Sequence, residues 1–111
     1  MLFRSAQSLA GIGKEAQPWL VEGLSDTRSK VRRASLLGLI DLGKKAEDAL
    51  PSVQQRLRDD DAEIRGFALL FISSVSKDKD LKASLFKNAL QDPDPHVQLL
   101  AKKELAKLAS E

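Results

Sequence analysis

Apolar and acidic residues recur along this chain at a step of 33 residues. Val31, Ile64 and Val97 begin three similar segments, and several other positions keep the same step. These positions form the triplets Leu20, Val53 and Phe86; Leu24, Leu57 and Leu90; Asp26, Asp59 and Asp92; Leu39, Ile72 and Leu105; and Leu42, Val75 and Leu108. A period in this range is typical of stacked repeats, in which each unit buries its apolar face only against its neighbours. The period therefore predicts an architecture and says much less about activity.

The apolar residues inside each repeat have the spacing of two helices. After the first core residue they follow at steps of four, four and three, which draws one stripe along an α-helix. The stripes of the inner helices are Val31, Ser35, Leu39 and Leu42; Ile64, Ala68, Ile72 and Val75; and Val97, Ala101, Leu105 and Leu108. Weaker stripes predict an outer helix before each: Ala16, Leu20 and Leu24; Ala49, Val53 and Leu57; and Phe86 and Leu90. The sequence therefore predicts an all-α fold of helical hairpins.

The short connections between these helices have turn and capping chemistry. Asp residues precede the inner helices, where a carboxylate can accept hydrogen bonds from unpaired N–H groups. Pro95 suits the first turn of the last inner helix, because its missing N–H costs little there. Gly13 and Gly43 are expected to end inner helices as left-handed caps.

The repeats are expected to form a single domain over residues 1–111. Residues 1–13 have the pattern of an inner helix without its outer partner, so the domain holds about three and a half hairpins and seven helices. The full repeats are predicted at 14–43, 44–76 and 77–111.

The two ends of the predicted stack differ. Lys102 and Lys103 take the places that Leu36-Leu37 and Leu69-Leu70 hold in earlier repeats, so the last repeat is predicted to be a polar C-terminal cap. Phe3 lies on the N-terminal helix, which is expected to meet further repeats or a second copy of the chain.

Composition excludes several kinds of site. The chain has no Cys, which excludes disulfides, thiolate metal sites and cysteine nucleophiles. His96 is the single histidine, so neither a zinc site nor a Ser-His-Asp set has support. No apolar run approaches the roughly 18–20 residues of a membrane span, and the first residues lack the pattern of a signal peptide. We therefore expect no catalytic residue, metal, cofactor or membrane contact, and a cytoplasmic location.

Several motifs resemble HEAT-like repeats. The run Asp59–Arg65 fits the pattern D-x-D-x-x-V-R, the segment 32–46 supplies the following A, L and G, and Ala49-Leu50-Pro51 supplies A-L-P. The chain is similar to the short bacterial HEAT repeats, in particular to the phycobilisome-lyase HEAT-like subgroup. The resemblance covers nearly the whole chain. It implies a right-handed α-α superhelix, an α-solenoid whose inner helices line the concave side, but it implies little about activity.

Residues opposite the core stripe of the inner helices are expected to form a groove. At about 100° per residue these positions fall on the exposed side of each helix. The predicted groove residues are Phe3, Arg33, Leu37, Ile40, Leu70, Leu99 and Lys103, with Lys30, Lys44 and Lys77 on the rim. Contiguous exposed apolar area marks partner sites, although Leu37 and Leu70 are equally well explained by packing against neighbouring helices. The favoured function is a non-enzymatic scaffold that binds a protein or an acidic, apolar peptide.

Paired charges recur in the repeats. Asp26 lies six residues before Arg32, and Asp59 lies six residues before Arg65. This pattern favours a structural Asp–Arg ladder that links neighbouring repeats, with anion binding as the alternative. Gln98 takes the arginine's place in the last repeat, as expected of a capping end.

The sequence leaves two other functions, and the role of one aromatic residue, undecided. Nucleic-acid binding is suggested by two basic runs, Arg28, Lys30, Arg32 and Arg33, and Lys77, Lys79 and Lys82. A role as accessory subunit of a chromophore lyase is implied only by the family resemblance. Trp19 precedes the core residue Leu20, so packing at the edge of the core is favoured over an exposed binding anchor.

Overall fold

The computed structural model describes residues 15–111, and all regular structure in that range is helical. The α-helices are α1 (Gln17–Gly23), α2 (Ser29–Leu42), α3 (Leu50–Gln55), α4 (Ala62–Val75), α5 (Lys79–Ala89) and α6 (Pro95–Ala109). Short 3₁₀ segments at Gly43–Ala49 and Arg56–Arg58 flank α3. The all-helical prediction is confirmed within these residues. The predicted total of seven helices is not reached there, and the helix predicted over 1–13 lies outside them.

The starts of α4 and α6 are fixed by aspartate caps, as the sequence predicts. Asp61 accepts a hydrogen bond from the Glu63 N–H at 2.9 Å. Asp94 accepts one from the His96 N–H at 2.8 Å, and Pro95 occupies the first turn of α6. The start of α2 differs, because its cap residue Arg28 makes no side-chain capping bond. Satisfied N–H groups define where these helices begin and therefore fix the register of the residues they present.

The second outer helix is shorter than the sequence predicts. Gly43 ends α2 with φ 61° and ψ −131°, so it has positive φ but not the left-handed helical conformation expected of it. The chain then continues in a 3₁₀ segment that is kinked at Ala46, where φ is −103° and ψ is 25°. Only six residues, Leu50–Gln55, form a regular α-helix before the next 3₁₀ turn. The predicted cap at Gly13 lies outside the described residues.

Two glycine substitutions test whether the positive φ at Gly43 requires a glycine. Gly43→Ala is expected to lower the free energy of unfolding by about 1–2 kcal/mol, because alanine is strained at this positive φ. An added Cβ would meet no atom within 4 Å, so the cost is conformational rather than steric. Gly66→Ala, inside α4, is expected to raise stability by about 0.5–1 kcal/mol through helix propensity. Its Cβ would lie 3.7 Å from Leu100, an ordinary contact. Urea unfolding of both variants measures the two changes, and equal signs would contradict this interpretation.

The inner helices pack on one another in chain order. Helix α4 lies against both α2 and α6, whereas each outer helix packs on the inner helix that follows it. The core contains most of the predicted stripe residues, among them Leu39, Ile64 and Ile72, whereas Val31 is only half-buried. It also contains Leu36, Leu69 and Phe71, which the single-stripe prediction missed because an inner helix has neighbours on two sides. The repeat boundaries and the superhelical sense of the stack stay predictions.

Candidate functional site

Arginine and aspartate side chains join successive repeats. Arg32 donates to both carboxylate oxygens of Asp59, at 2.8 and 3.1 Å, across 27 residues of sequence. Arg65 binds Asp92 in the same way, at 2.8 and 2.9 Å, again 27 residues on. Each arginine also donates to a carbonyl six residues before it, at 2.8 Å: Arg32 to Asp26 and Arg65 to Asp59. The arginine therefore ties its own loop to the carboxylate of the following repeat. Such bidentate pairs are the strong, directional ones.

The aspartate of each pair also shapes its own loop. Asp59 accepts from the Asp61 N–H at 2.9 Å, and Asp92 accepts from the Asp94 N–H at 2.9 Å. Asp26 makes the same turn, accepting from the Arg28 N–H at 2.8 Å. Its carboxylate, however, binds the side chain of Arg28 and not that of Arg32, with which its spacing in the sequence had paired it. The structure thus pairs each arginine with the next repeat's aspartate, and Gln98 keeps only the bond to the backbone, at the carbonyl of Asp92.

These contacts lower the pKa values of the three aspartates. For Asp59, burial alone raises the pKa, but hydrogen bonds from Arg32 and from the Asp61 N–H outweigh it and leave the pKa below its ordinary value. For Asp92, the hydrogen bonds from Arg65 lower the pKa against the opposing effect of burial. For Asp26, the hydrogen bonds from Arg28 lower the pKa to about 2. All three groups therefore favour the ionised, paired form in the folded protein.

Stability is consequently expected to fall in acid. A carboxylate whose pKa is lower in the folded chain than in the unfolded chain stabilises the fold at any pH above its pKa in the unfolded chain. That contribution is lost as the pH falls through the pKa of the folded chain, because the unfolded state binds more protons. The unfolded value is 3.8 and Asp26 titrates at about 2, so the urea midpoint should be flat above about pH 5 and fall towards pH 2. Asp92→Asn should make this fall shallower. A midpoint that falls mainly between about pH 7 and pH 5 would contradict the assignment.

Three exposed leucines lie on the inner helices, and we call them the leucine row. They are Leu37 on α2, Leu70 on α4 and Leu99 on α6, with 44%, 37% and 52% of their surface exposed. Leu37 and Leu70 are equivalent positions of successive repeats, whereas Leu99 is the equivalent of Gly66, one turn before Leu70. All three were predicted groove residues. Two exposed leucines at equivalent positions, and a third about one turn away, favour a binding surface over scattered apolar residues.

A hollow of about 400 Å³ opens beside the leucine row, between α4 and α6. Its apolar walls are formed by Phe67 and Leu70 on one helix and Leu100 on the other. Gly66 also lines it and lacks the side chain that Arg33 and Leu99 carry at the corresponding positions of α2 and α6. The volume lies within the range of ligand and side-chain pockets. The hollow therefore offers a place for an apolar side chain next to Leu70.

Two predicted groove residues have other roles. Ile40 is half-buried and packs against the core, so its assignment to the open groove is wrong. Arg33 forms an ion pair with Glu63 of the next repeat, so its guanidinium is already paired. Phe3 lies outside the described residues.

The four lysines predicted around the leucine row make no ion pair with a described carboxylate. Lys30, Lys44, Lys77 and Lys103 are exposed. Within residues 15–111, no carboxylate lies within 4.0 Å of any of them. The basic rim stays a prediction, and these four exposed lysines are its candidate residues.

The basic runs that suggested nucleic-acid binding are largely neutralised. Arg28 binds Asp26, while Arg32 and Arg33 bind Asp59 and Glu63. In the second run, Lys82 is buried and donates to the carbonyl of Ser73, and Lys79 lies 3.7 Å from Glu111. Binding to phosphates requires cations that can replace counterions, and of the seven residues in the two runs only Lys30 and Lys77 are exposed without such a contact in residues 15–111. The structure therefore gives the nucleic-acid alternative no particular support.

The single histidine lies near one carboxylate. His96 is exposed and lies 3.7 Å from Asp94, at the start of α6. Residues 15–111 contain no group of three or more His, Cys, Asp or Glu side chains placed to hold a metal ion. Over the same range, no helix has both the length and the apolar character needed to cross a membrane.

Trp19 is placed differently from the sequence-based prediction. The residue lies on α1 with 77% of its surface exposed, so the favoured interpretation, packing at the edge of the core, is wrong. The buried side of α1 is taken by the predicted stripe, with Leu24 inside the core and Leu20 packed against it.

Comparison with known proteins agrees with the repeat geometry. No curated protein and no solved structure matches the chain significantly. The family model of HEAT repeats matches residues 3–71, which is more than half of the chain. The Arg65–Asp92 pair continues the same inter-repeat pattern beyond the matched segment. The match does not single out the phycobilisome-lyase subgroup, which stays a prediction. On the match and the repeat geometry together, the chain belongs to the HEAT repeat family.

Proposed function

We propose that the chain is a non-enzymatic binding module that holds an acidic, apolar protein segment along its leucine row. HEAT repeats are commonly scaffolds for protein interaction and are typically non-catalytic. The observation that carries the proposal is the exposure of Leu37, Leu70 and Leu99 on the inner helices beside an open hollow. In this proposal the inner helices line the concave side of a right-handed superhelix, in the cytoplasm.

The chemistry of the surface defines the partner. An apolar side chain would enter the hollow beside Leu70, and flanking apolar residues would cover Leu37 and Leu99. Lys44, Lys77 and Lys103 would attract carboxylates on the same segment, which favours correct partners and faster association. The Arg33–Glu63 pair joins α2 to α4, and the hydrogen bond from Ser73 to Glu104 joins α4 to α6. The helices are therefore held in register before the partner arrives, which limits the ordering cost of binding.

Selection from a random displayed peptide library tests this function. Peptides that bind the wild-type chain are expected to combine Asp or Glu with apolar residues. Leu70→Asp should weaken their binding about thirtyfold, roughly 2 kcal/mol, because it removes apolar burial and places a negative charge against acidic peptides. Leu70 is partly exposed, so the variant should remain folded by circular dichroism.

The matched control is Ser84→Asp. Ser84 is exposed on α5, an outer helix, and the substitution introduces the same charge away from the leucine row. It should leave peptide affinity unchanged. Selected peptides that bind Leu70→Asp as tightly as the wild type, or that are basic, would refute the proposed site.

A further inference from the structure

A second cleft, of about 710 Å³, opens on the outer-helix side of the molecule. It lies between α5 and the segment formed by α3 and the 3₁₀ turn Arg56–Arg58. These outer elements pack on the inner helices rather than closely on each other, so the space between them is left open. The apolar lining includes Leu57, Leu85 and Ala89. The cleft has the size and the apolar floor of a site for a large side chain.

Three arginines, amide groups and one carboxylate surround this apolar floor, and the carboxylate, Asp92, is already paired with Arg65 at 2.8 Å. Arg58 is exposed, and no carboxylate lies within 4.0 Å of it in the described part of the chain. Arg56 binds Asp59 at 3.1 Å, but its side chain remains 22% exposed beside the cleft. Asn88 adds an exposed amide on the α5 side. A fitting ligand would thus combine an aromatic or aliphatic group with negative charge next to it.

The chain itself presents that combination on α1 and just before it. Trp19 is largely exposed, and Glu22 lies three residues after it on the same side of the helix. Glu15 lies four residues before Trp19, two residues ahead of the start of α1. Both glutamates are exposed, and within residues 15–111 no cation lies within 4.0 Å of either. An exposed tryptophan between two carboxylates is the complement of an arginine-rimmed apolar cleft.

We propose that Trp19 of one copy docks into the outer cleft of a second copy, so that the chain self-associates head to tail. The indole would cover Leu57 and Leu85, with a guanidinium able to lie over its face. Glu15 and Glu22 would face Arg56 and Arg58. The leucine row takes no part in this contact, so self-association is independent of the proposed peptide binding.

The nature of the contact determines how the assembly grows. The Trp19 surface of one copy binds the outer cleft of another, and these are two different surfaces. Each added copy therefore leaves one Trp19 surface and one cleft unoccupied, so association continues beyond two copies unless a ring closes. One tryptophan with its flanking charges covers less than a standard interface of about 1,200 Å², so the association is weak and reversible. Average mass should therefore rise with concentration between about 10 µM and about 1 mM.

Sedimentation equilibrium with a charge exchange tests the proposal. Trp19→Ala should weaken association about tenfold to thirtyfold, as expected for the loss of a central anchor. Glu22→Arg and Arg58→Glu should each weaken it, because each variant alone sets like charges against one another. An equimolar mixture of these two should associate again, since the introduced arginine of one chain then meets the introduced glutamate of the other. Lys102→Glu, an exposed control with the same charge change as Arg58→Glu, should associate as the wild type does.

Four results would overturn the proposal. The first is a wild-type chain that stays monomeric over this concentration range. The second is unchanged association of Trp19→Ala. The third is a mixture of Glu22→Arg and Arg58→Glu that associates no better than either alone. A loss with Trp19→Ala but not with Arg58→Glu would indicate a symmetric tryptophan contact and would likewise exclude the cleft.

Discussion

Replacing Asp59 by Ala is expected to lower the free energy of unfolding by about 3 kcal/mol, a large share of the stability of a small domain. The Asp59 side chain is 1% exposed and accepts hydrogen bonds from Arg32, Arg56 and the Asp61 N–H. Its removal leaves the largely buried guanidinium of Arg32 without its bidentate partner. The penalty therefore comes from an uncompensated charge more than from the lost attraction itself. Urea denaturation at neutral pH measures the change.

Asp60→Ala is the matched control for this substitution. Asp60 is the next residue and also contacts Arg32, at 3.1 Å, but its side chain is 93% exposed. An exposed ion pair contributes little, so the loss should be below about 0.5 kcal/mol. Similar losses for the two variants, or a loss below about 1 kcal/mol for Asp59→Ala, would show that the inter-repeat pair is not a main source of stability.

Leu69→Ala is expected to cost about 3 kcal/mol through the cavity it leaves between α4, α5 and α6. Leu69 is 1% exposed and packs in a cluster with Phe86 and Val97. Its equivalent in the preceding repeat, Leu36, is fully buried in the same way. The position therefore joins one repeat to the next, and its truncation loosens that junction. Thermal and urea unfolding measure the loss.

The corresponding residue of the last repeat provides the control. Lys102 takes the place of Leu69 one step of 33 residues later and is exposed. Lys102→Ala should change stability by no more than about 0.5 kcal/mol, as is usual for exposed positions. A loss near that of Leu69→Ala would contradict the prediction that the last repeat ends the stack with a polar face.

The spacing of the charged residues predicted an inter-repeat ladder but not its pairing. Asp and Arg recur both six residues apart within a repeat and 27 residues apart between repeats, so spacing alone favours neither. One signal in the sequence does separate them. Aspartate is present in the last repeat as Asp92, whereas the arginine there is replaced by Gln98. If each arginine binds the aspartate of the following repeat, the last repeat needs an aspartate but no arginine. The sequence shows this arrangement, with three aspartates and two arginines at these positions.

The sequence predicted which residues form the core stripe but not how exposed some of the other residues are. The core stripe follows from the helical period, because residues such as Ile64 and Ile72 repeat at intervals that the sequence shows directly. Ile40 and Trp19 were misplaced because their exposure depends on neighbouring helices, which a helical period does not describe. The length of α3, which only six residues form, was not predicted either. That length follows from the turn at Gly43 and the kink at Ala46, a region where the repeat spacing indicates only a loop insertion.

The repeat places stabilising and binding residues on different parts of the same helix. Arg32 and Arg65 lie in the first turns of α2 and α4, where they reach the loop of the next repeat. Leu37 and Leu70 follow five residues later, beyond the ladder and on the exposed side. Because the two sets do not overlap, substitutions in the leucine row should alter binding without unfolding the chain. This separation makes the proposed function accessible to direct mapping.

Leucine-methyl NMR of the chain, titrated with the tightest acidic, apolar peptide from the selection, locates the binding surface most directly. The methyl signals of Leu37, Leu70 and Leu99 should shift together and report one dissociation constant. The buried neighbours Leu36 and Leu69 serve as internal controls and should shift little. Shifts confined to Leu57 and Leu85 in the outer cleft, with the leucine row unchanged, would contradict the proposed binding site.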